Sequence, residues 1–298
     1  MSLGFKEFHE KFNYFTIQES IEFYSVFDAH PFLKFLRFDT TLLSCIQSEI
    51  LERAEDLKTY FIFDADTNFQ KDLDSLLMRL AIGDRKSYTA YKKENISQIR
   101  SRHLFKTLFE KNIIKKERSR EKPLRDFKGQ LIKKALRRYE IQDKIHFVDN
   151  FTRFWFTFLA PLYENSLHVD SSKVMENITQ QLEQYVSLCF EELSNELIIK
   201  KIGIENIENH GSYWDKNIEI DLLIERKDGK ILAGESKWKN HKVCKNILNS
   251  LEKKCKRANI EVDTFVLFSK SGFSKELIKL NRSDVVLYDI NEFKELYD

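Results

Sequence analysis

The sequence predicts an α+β multidomain protein with three parts. These are an acidic helical segment over 1–70, a basic three-helix unit with a strand pair over 71–166, and an α/β domain over 167–298. Three observations lead there. Only 8 glycines and 3 prolines in 298 residues leave little material for long linkers, whereas 42% hydrophobic residues suffice for real cores. Charge is uneven under a net charge of +2: residues 1–74 hold 7 basic and 14 acidic side chains, while 111–138 hold 12 basic and 3 acidic. The third is NIEIDLLIERKDGKILAGESKWK, whose alternating arms around Asp228-Gly229 read as a hairpin between helical periods.

In the middle part, Leu73, Leu76, Leu77 and Leu80 share one helix face, and that helix ends at Gly83. Tyr88 to Glu94 and Ile99 to Lys111 form two more helices, and Ile113 to Glu117 reads as a strand with Arg118 to Lys122 as a charged wing. Three helices followed by a strand pair is the winged form of the helix-turn-helix, whose third helix usually enters the major groove. Arg100, Arg102 and Lys106 on that helix, with Lys115, Lys116, Arg118, Arg120 and Lys122 after it, are the candidate nucleic-acid contacts. The cationic block continues through Lys133, Lys134, Arg137 and Arg138. The aromatic run Phe151 to Phe158 reads as a hydrophobic joint between this part and the next.

The last part opens with a long helix, roughly 172–197. The hairpin follows, then a helix through Val243, Ile247, Leu251 and Cys255, a strand over 264–268, a short helix over 275–280 and a strand over 285–288. Within the hairpin, alternation places Glu219, Asp221 and Glu225 on one face of the first arm, and Ala233, Glu235 and Lys237 on one face of the second. A two-residue Asp228-Gly229 turn pairs Asp221 with Ser236. A three-residue loop over 227–229 with Gly229 left-handed pairs it with Glu235, and this is the register expected here. Asp221 and Glu235 then offer hard oxygen ligands to Mg²⁺ or Mn²⁺, and Lys237 stands beside them to orient water or meet phosphate charge.

This arrangement resembles the PD-(D/E)XK nucleases. The resemblance implies a restriction-endonuclease-like fold, the roles just given to Asp221, Glu235 and Lys237, and an extra acid from the preceding helix. Glu191 and Glu192 are both open for that role, because the helix face favours Glu192 and the family's aromatic-Glu pattern favours Glu191. More widely, RYEIQD…FTRFWFTFLAP, the helix-turn-helix before it and SYWDKNIEIDLL…GESKW together resemble the C-terminal half of prokaryotic and archaeal-type AAA ATPases. That family combines a P-loop domain with a helical lid, a winged helix and a nuclease-like tail. Glu19 to Val26 and Pro31 to Leu36 are similar to the lid helices, although Asp28-Ala29-His30-Pro31 replaces the family's Gly-Gly-x-Pro.

No G-x-x-x-x-G-K-[ST] occurs, so no nucleotide cofactor and no ATPase activity are expected of this chain. The expected function is DNA binding with metal-dependent phosphodiester hydrolysis. The alternative is a non-catalytic DNA-binding or adaptor module working with a separate P-loop ATPase subunit. Scattered Cys45, Cys189, Cys244 and Cys255, no apolar run of bilayer length and no secretory start predict a cytoplasmic protein without a membrane partner.

Overall fold

The structure is a computed structural model that describes residues 3–83, 85–123, 125, 127–132, 139–165 and 171–297. Lys133, Lys134, Arg137 and Arg138 of the basic block lie outside the described residues. The chain is mixed α+β and divides into two compact units, one of Met1–Lys116, Lys144–Cys189 and Tyr297, the other of Glu117–Asp143 and Phe190–Leu296. The division differs from the three sequence segments: the first and most of the second fall in one unit, while Glu117–Asp143 belongs with the sheet of the second unit.

The first unit begins with α1 (Phe5–Lys11), α2 (Ile17–Phe27), α3 (Leu42–Ile46) and α4 (Ala54–Lys58). Thr16 starts α2 through a capping box with Glu19, satisfying backbone donors that helix geometry leaves unpaired. Residues 31–35, expected to be helical from the lid resemblance, are turns. Here Phe32 N–H donates to His30 Nδ1, and His30 Nε2 reaches Glu49 O at 3.1 Å. Burial lowers the His30 pKa to about 4, so the ring stays neutral and fixes this bend.

Next come α5 (Thr67–Ile82), α6 (Ser87–Lys93) and α7 (Gln98–Glu110), followed by β1 (Ile114–Glu117) and β2 (Lys144–Phe147), which form a two-stranded sheet. Asp66 and Ser97 cap α5 and α7, and the leucines of α5 are buried as their period requires. The aromatic run occupies α8 (Asn150–Phe154) and the π-helical turn Trp155–Leu159 that leads into α9 (Ala160–Asn165). It packs inside the first unit: Trp155 stacks on Phe61 at 4.5 Å and Phe151 meets His30 edge-on at 4.8 Å. So these rings close the core of the N-terminal helices, and Phe154 and Phe158 also meet Tyr185 at 5.5 and 5.4 Å, so the run reaches the helix that opens the last part expected from the sequence.

A buried polar network runs through that core. Asp28, at the end of α2, accepts from the Asn150 and Phe151 backbone N–H groups at 3.0–3.1 Å and from Asn150 Nδ2 at 3.1 Å, so it sits on the N-terminus of α8. Burial, and then the neighbouring Asp149, push its pKa up to about 8 against the pull of those donors. Arg153 lies 4.0 Å over the Tyr185 ring and donates to Tyr185 O, while Tyr185 Oη donates to Asn150 O at 2.7 Å.

The second unit takes the C-terminal part of α10 (Ser171–Ile202) and a five-stranded sheet. The strands are β3 (Ile207–Trp214), β4 (Glu219–Arg226), β5 (Ile231–Lys237), β6 (Thr264–Ser269) and β7 (Val285–Asp289), in spatial order β3-β4-β5-β6-β7. The first three form an antiparallel meander. β5–β6 and β6–β7 are parallel and are connected through α11 (Lys245–Arg257) and α12 (Lys275–Lys279). On one face Leu223, Ala233, Phe265 and Leu267 pack with Leu248, Leu251 and Cys255 of α11. On the other, Phe268 meets Phe293, which stacks on Phe190 of α10 at 4.7 Å.

Both faces are therefore covered, and this modifies the sequence reading of β4. Leu223, on the same side as Asp221, is buried as well, so the acidic face of the hairpin is not a solvent face. The segment expected to be a free charged wing instead lines the edge of the sheet. Arg120 N–H donates to Ser212 O, and Ser119 Oγ bridges the backbone of Trp214 by donating to its carbonyl at 2.5 Å and accepting from its N–H at 3.0 Å. An edge strand presents unpaired backbone groups, and these contacts satisfy part of that row.

Removing the Asp28 acceptor strands two buried backbone donors and the Asn150 amide. Asp28→Ala should lower the unfolding free energy by about 2–4 kcal/mol and Asp28→Asn by roughly half as much. Urea denaturation read by tryptophan fluorescence measures both; a loss below about 0.5 kcal/mol for the alanine variant contradicts the assigned role.

Candidate functional site

Turn chemistry builds the site. Arg226 N–H donates to Lys230 O and Gly229 N–H to Arg226 O, which leaves 227–229 as a three-residue loop. Gly229 has φ +82°, a left-handed conformation that a side chain resists. The register that follows pairs Glu225 with Ile231, Ile224 with Leu232, Leu223 with Ala233 and Leu222 with Gly234. Continued by one residue, it sets Asp221 opposite Glu235, on the face that α11 covers. Gly234 permits the close approach of the arms, since a Cβ there would lie 3.0 Å from Leu222 Cδ2.

Asp221, Glu235 and Lys237 come together. Lys237 Nζ is 2.8 Å from Glu235 Oε1 and 3.8 Å from Asp221 Oδ2. Asp221 Oδ2 also accepts from Ser236 N–H at 3.0 Å, and Asn195 of α10 donates to Asp221 O at 3.4 Å. The two carboxylates are nearly closed off, with 12% and 11% of their side-chain surface exposed, so their charges are poorly solvated. Burial, and then Glu235, push the Asp221 pKa up to about 6, with Lys237 and the Ser236 N–H pulling it down. Burial works to lower Lys237, but Asp221 and Glu235 outweigh it and hold its pKa above the ordinary value, so Lys237 is an ammonium and not a base.

Lys254, on α11, is the member that sequence reading missed. Its Nζ lies 3.0 Å from Glu235 Oε1 and 2.7 Å from Oε2. The available signal was positional: Lys254 is three residues from buried Leu251 and next to buried Cys255, on a helix otherwise amphipathic. Of the two candidate acids on α10, Glu191 is close enough for its charge to raise Lys237. Both Glu191 and Glu192 are half-buried. Among the described residues no group of three His, Cys, Asp or Glu side chains is arranged to hold a metal ion. What the site offers a cation is two carboxylates, a set that suits Mg²⁺, which keeps several waters in its shell.

The basic candidates fall in both units. Arg102 and Lys106 are exposed on α7, with Lys106 3.7 Å from Glu110, and Lys115 and Lys116 are exposed on β1. Arg100 is engaged locally, 2.7 Å from Asp72 and 4.6 Å over the Phe69 ring. In the second unit Arg118 and Lys122 are exposed, whereas Arg120 is half-buried beside Gly211 of β3.

A family described as archaeal and bacterial proteins of unknown function (DUF234) matches residues 155–254, a stretch that includes the hairpin, its three site residues and Lys254. No curated protein matches. Among solved structures, protein VC1899 from Vibrio cholerae is 12% identical over 78% of this chain, with a TM-score of 0.29. The chain spans 55% of that protein's length, and a likeness this loose carries no argument. Among the described residues no helix is long and apolar enough to cross a membrane.

The raised pKa of Asp221 has a thermodynamic sign. A carboxylate whose folded pKa lies above its unfolded value of about 3.9 imposes no penalty below that value, and the full penalty once pH exceeds about 6. Asp221→Asn should therefore stabilise the metal-free protein by about 2 kcal/mol at pH 8, and the gain should vanish near pH 4. Thermal melts at the two pH values test this, and equal melting temperatures at pH 8 contradict it.

Proposed function

We propose that the chain is a metal-dependent phosphodiesterase acting on DNA, with Asp221 and Glu235 as the metal-holding pair and Lys237 as the cation that works beside them. The observation that carries this reading is the convergence of two buried carboxylates and a protonated lysine at the end of adjacent strands. Acids at 12% and 11% exposure are costly to bury, and Asp221 is shifted against ionisation, a pattern that clusters at functional sites. The helix, three-stranded meander, helix and parallel strand around them support the restriction-endonuclease-like reading of the second unit.

Mg²⁺ or Mn²⁺ held by this pair supplies Lewis acidity and a water of lowered pKa at neutral pH. The residues of the chain do the rest. Asp221 is fixed by the Ser236 N–H and by the Asn195 contact to its carbonyl, so its free oxygen keeps one direction. Lys237 is placed to donate to a non-bridging phosphate oxygen, where its charge offsets the negative charge that grows as water adds to phosphorus and the P–O ester bond breaks. The attacking water gives up a proton to solvent and the leaving oxygen takes one up, so the protons balance.

In the same reading α5, α6, α7, β1 and β2 form a winged helix, with Arg102, Lys106, Lys115 and Lys116 meeting the phosphates of a duplex. The N-terminal helices then correspond to the lid of the AAA-type ATPases, whose P-loop part a separate subunit would supply. One observation favours a second reading, a non-catalytic DNA-binding or adaptor module: Glu235 is held by two ammonium groups at 2.7–3.0 Å and so is already neutralised.

Plasmid, linear and branched DNA incubated with Mg²⁺ or Mn²⁺ should be cleaved. Lys237→Ala should reduce the rate by about 10²–10³-fold and Asp221→Ala should abolish it, with DNA affinity retained in both. Cleavage equal in wild type and variants, or none by wild type with either metal on any DNA form, refutes the enzyme reading. DNA affinity should fall steeply with salt; a flat salt dependence contradicts the DNA part.

A further inference from the structure

We infer that Lys254 is a built-in competitor for the metal, holding Glu235 in the metal-free protein and giving it up when a divalent cation binds. The inference rests on the proposed metal-holding role of Asp221 and Glu235, and it adds a control that the proposal lacks.

The argument starts from the acceptor capacity of Glu235. An ionised carboxylate accepts on two oxygens, and both are taken: Oε1 by Lys237 at 2.8 Å and Lys254 at 3.0 Å, Oε2 by Lys254 at 2.7 Å. The two ammonium groups match the charge of Asp221 and Glu235 when both are ionised, and Glu191 adds a negative charge near Lys237. A divalent cation added without any rearrangement would meet two positive charges at short range in a poorly solvated pocket, where such repulsion is little screened. One ammonium must leave. Lys237 is tied in by a second bond, donating to Ser236 O at 3.0 Å, and by its proximity to Asp221. Among the described residues the Lys254 ammonium donates to the two Glu235 oxygens alone.

Lys254 also has somewhere to go. It lies in the last turn of α11, with Lys256 and Arg257, where the helix macrodipole favours cations. Its side chain is 24% exposed, so its four-carbon stem can carry the charge into water while still covering apolar surface. The position makes the ammonium a removable cation: it neutralises a buried acid when no metal is present, and it sets a threshold that the metal must exceed.

The test is Mn²⁺ binding to the full chain by isothermal titration calorimetry, without DNA. Lys254→Met removes the competitor, and Lys254→Gln keeps polarity and length should the methionine variant fold poorly, which circular dichroism reports. Both should bind Mn²⁺ about 10- to 100-fold more tightly than wild type. Lys254→Arg, whose planar fork grips a carboxylate through two bonds, should bind more weakly. If wild type binds and the folded methionine and glutamine variants bind equally or less well, the competitor role is wrong while the metal site stands. If neither wild type nor any folded variant binds Mn²⁺, the metal-site reading fails and the competitor role goes with it.

Discussion

The hairpin register in the second unit is the constraint on which the site depends. A one-residue change in the 227–229 loop moves every side chain of one arm to the other face. Glu235 would then point towards the α10 side while Asp221 stayed under α11. Gly229, at φ +82°, holds the loop at three residues, and Gly234 lets the arms approach closely at the pair next to the acids. Neither glycine touches a functional atom. Together they decide whether there is a site at all.

That register brings an electrostatic cost into the structure. Two acids and two lysines sit between a sheet and a helix, and the two oppositely charged sets hold one another in place at 2.7–3.8 Å. Removing one charge from such a cluster leaves another exposed to a low-dielectric surrounding, so the four side chains behave as a unit. The apolar packing around them, Leu223, Ala233 and Leu267 against Leu251 and Cys255, keeps the cluster poorly solvated and so keeps each charge strong. Burying these charges costs stability at this point, in keeping with the raised Asp221 pKa.

Much of this was legible in the sequence wherever the determinant was local. The period of Leu73, Leu76, Leu77 and Leu80 with Gly83 after it located α5, and a loop ending in Gly229 indicated both the hairpin and its register. What escaped was non-local. The aromatic run of α8 was read as a joint, and it does meet Tyr185 of α10, but sequence does not say that it also packs on Phe61 and His30, about a hundred residues away in the chain. The segment after β1 looked like a solvated wing, yet its backbone lies along β3 through Ser119 and Arg120. Lys254 was invisible for a similar reason: one lysine among four on α11 gives no hint that a particular carboxylate lies across from it.

The central claim is that Asp221 and Glu235 share one divalent cation. The most direct measurement is a crystal of the full chain soaked in Mn²⁺ and recorded at the manganese absorption edge. The account predicts an anomalous peak beside the Asp221 and Glu235 carboxylates, with the Lys254 ammonium moved off Glu235. A structure at high Mn²⁺ with no peak there, and with Lys254 still bonded to both Glu235 oxygens, would contradict it.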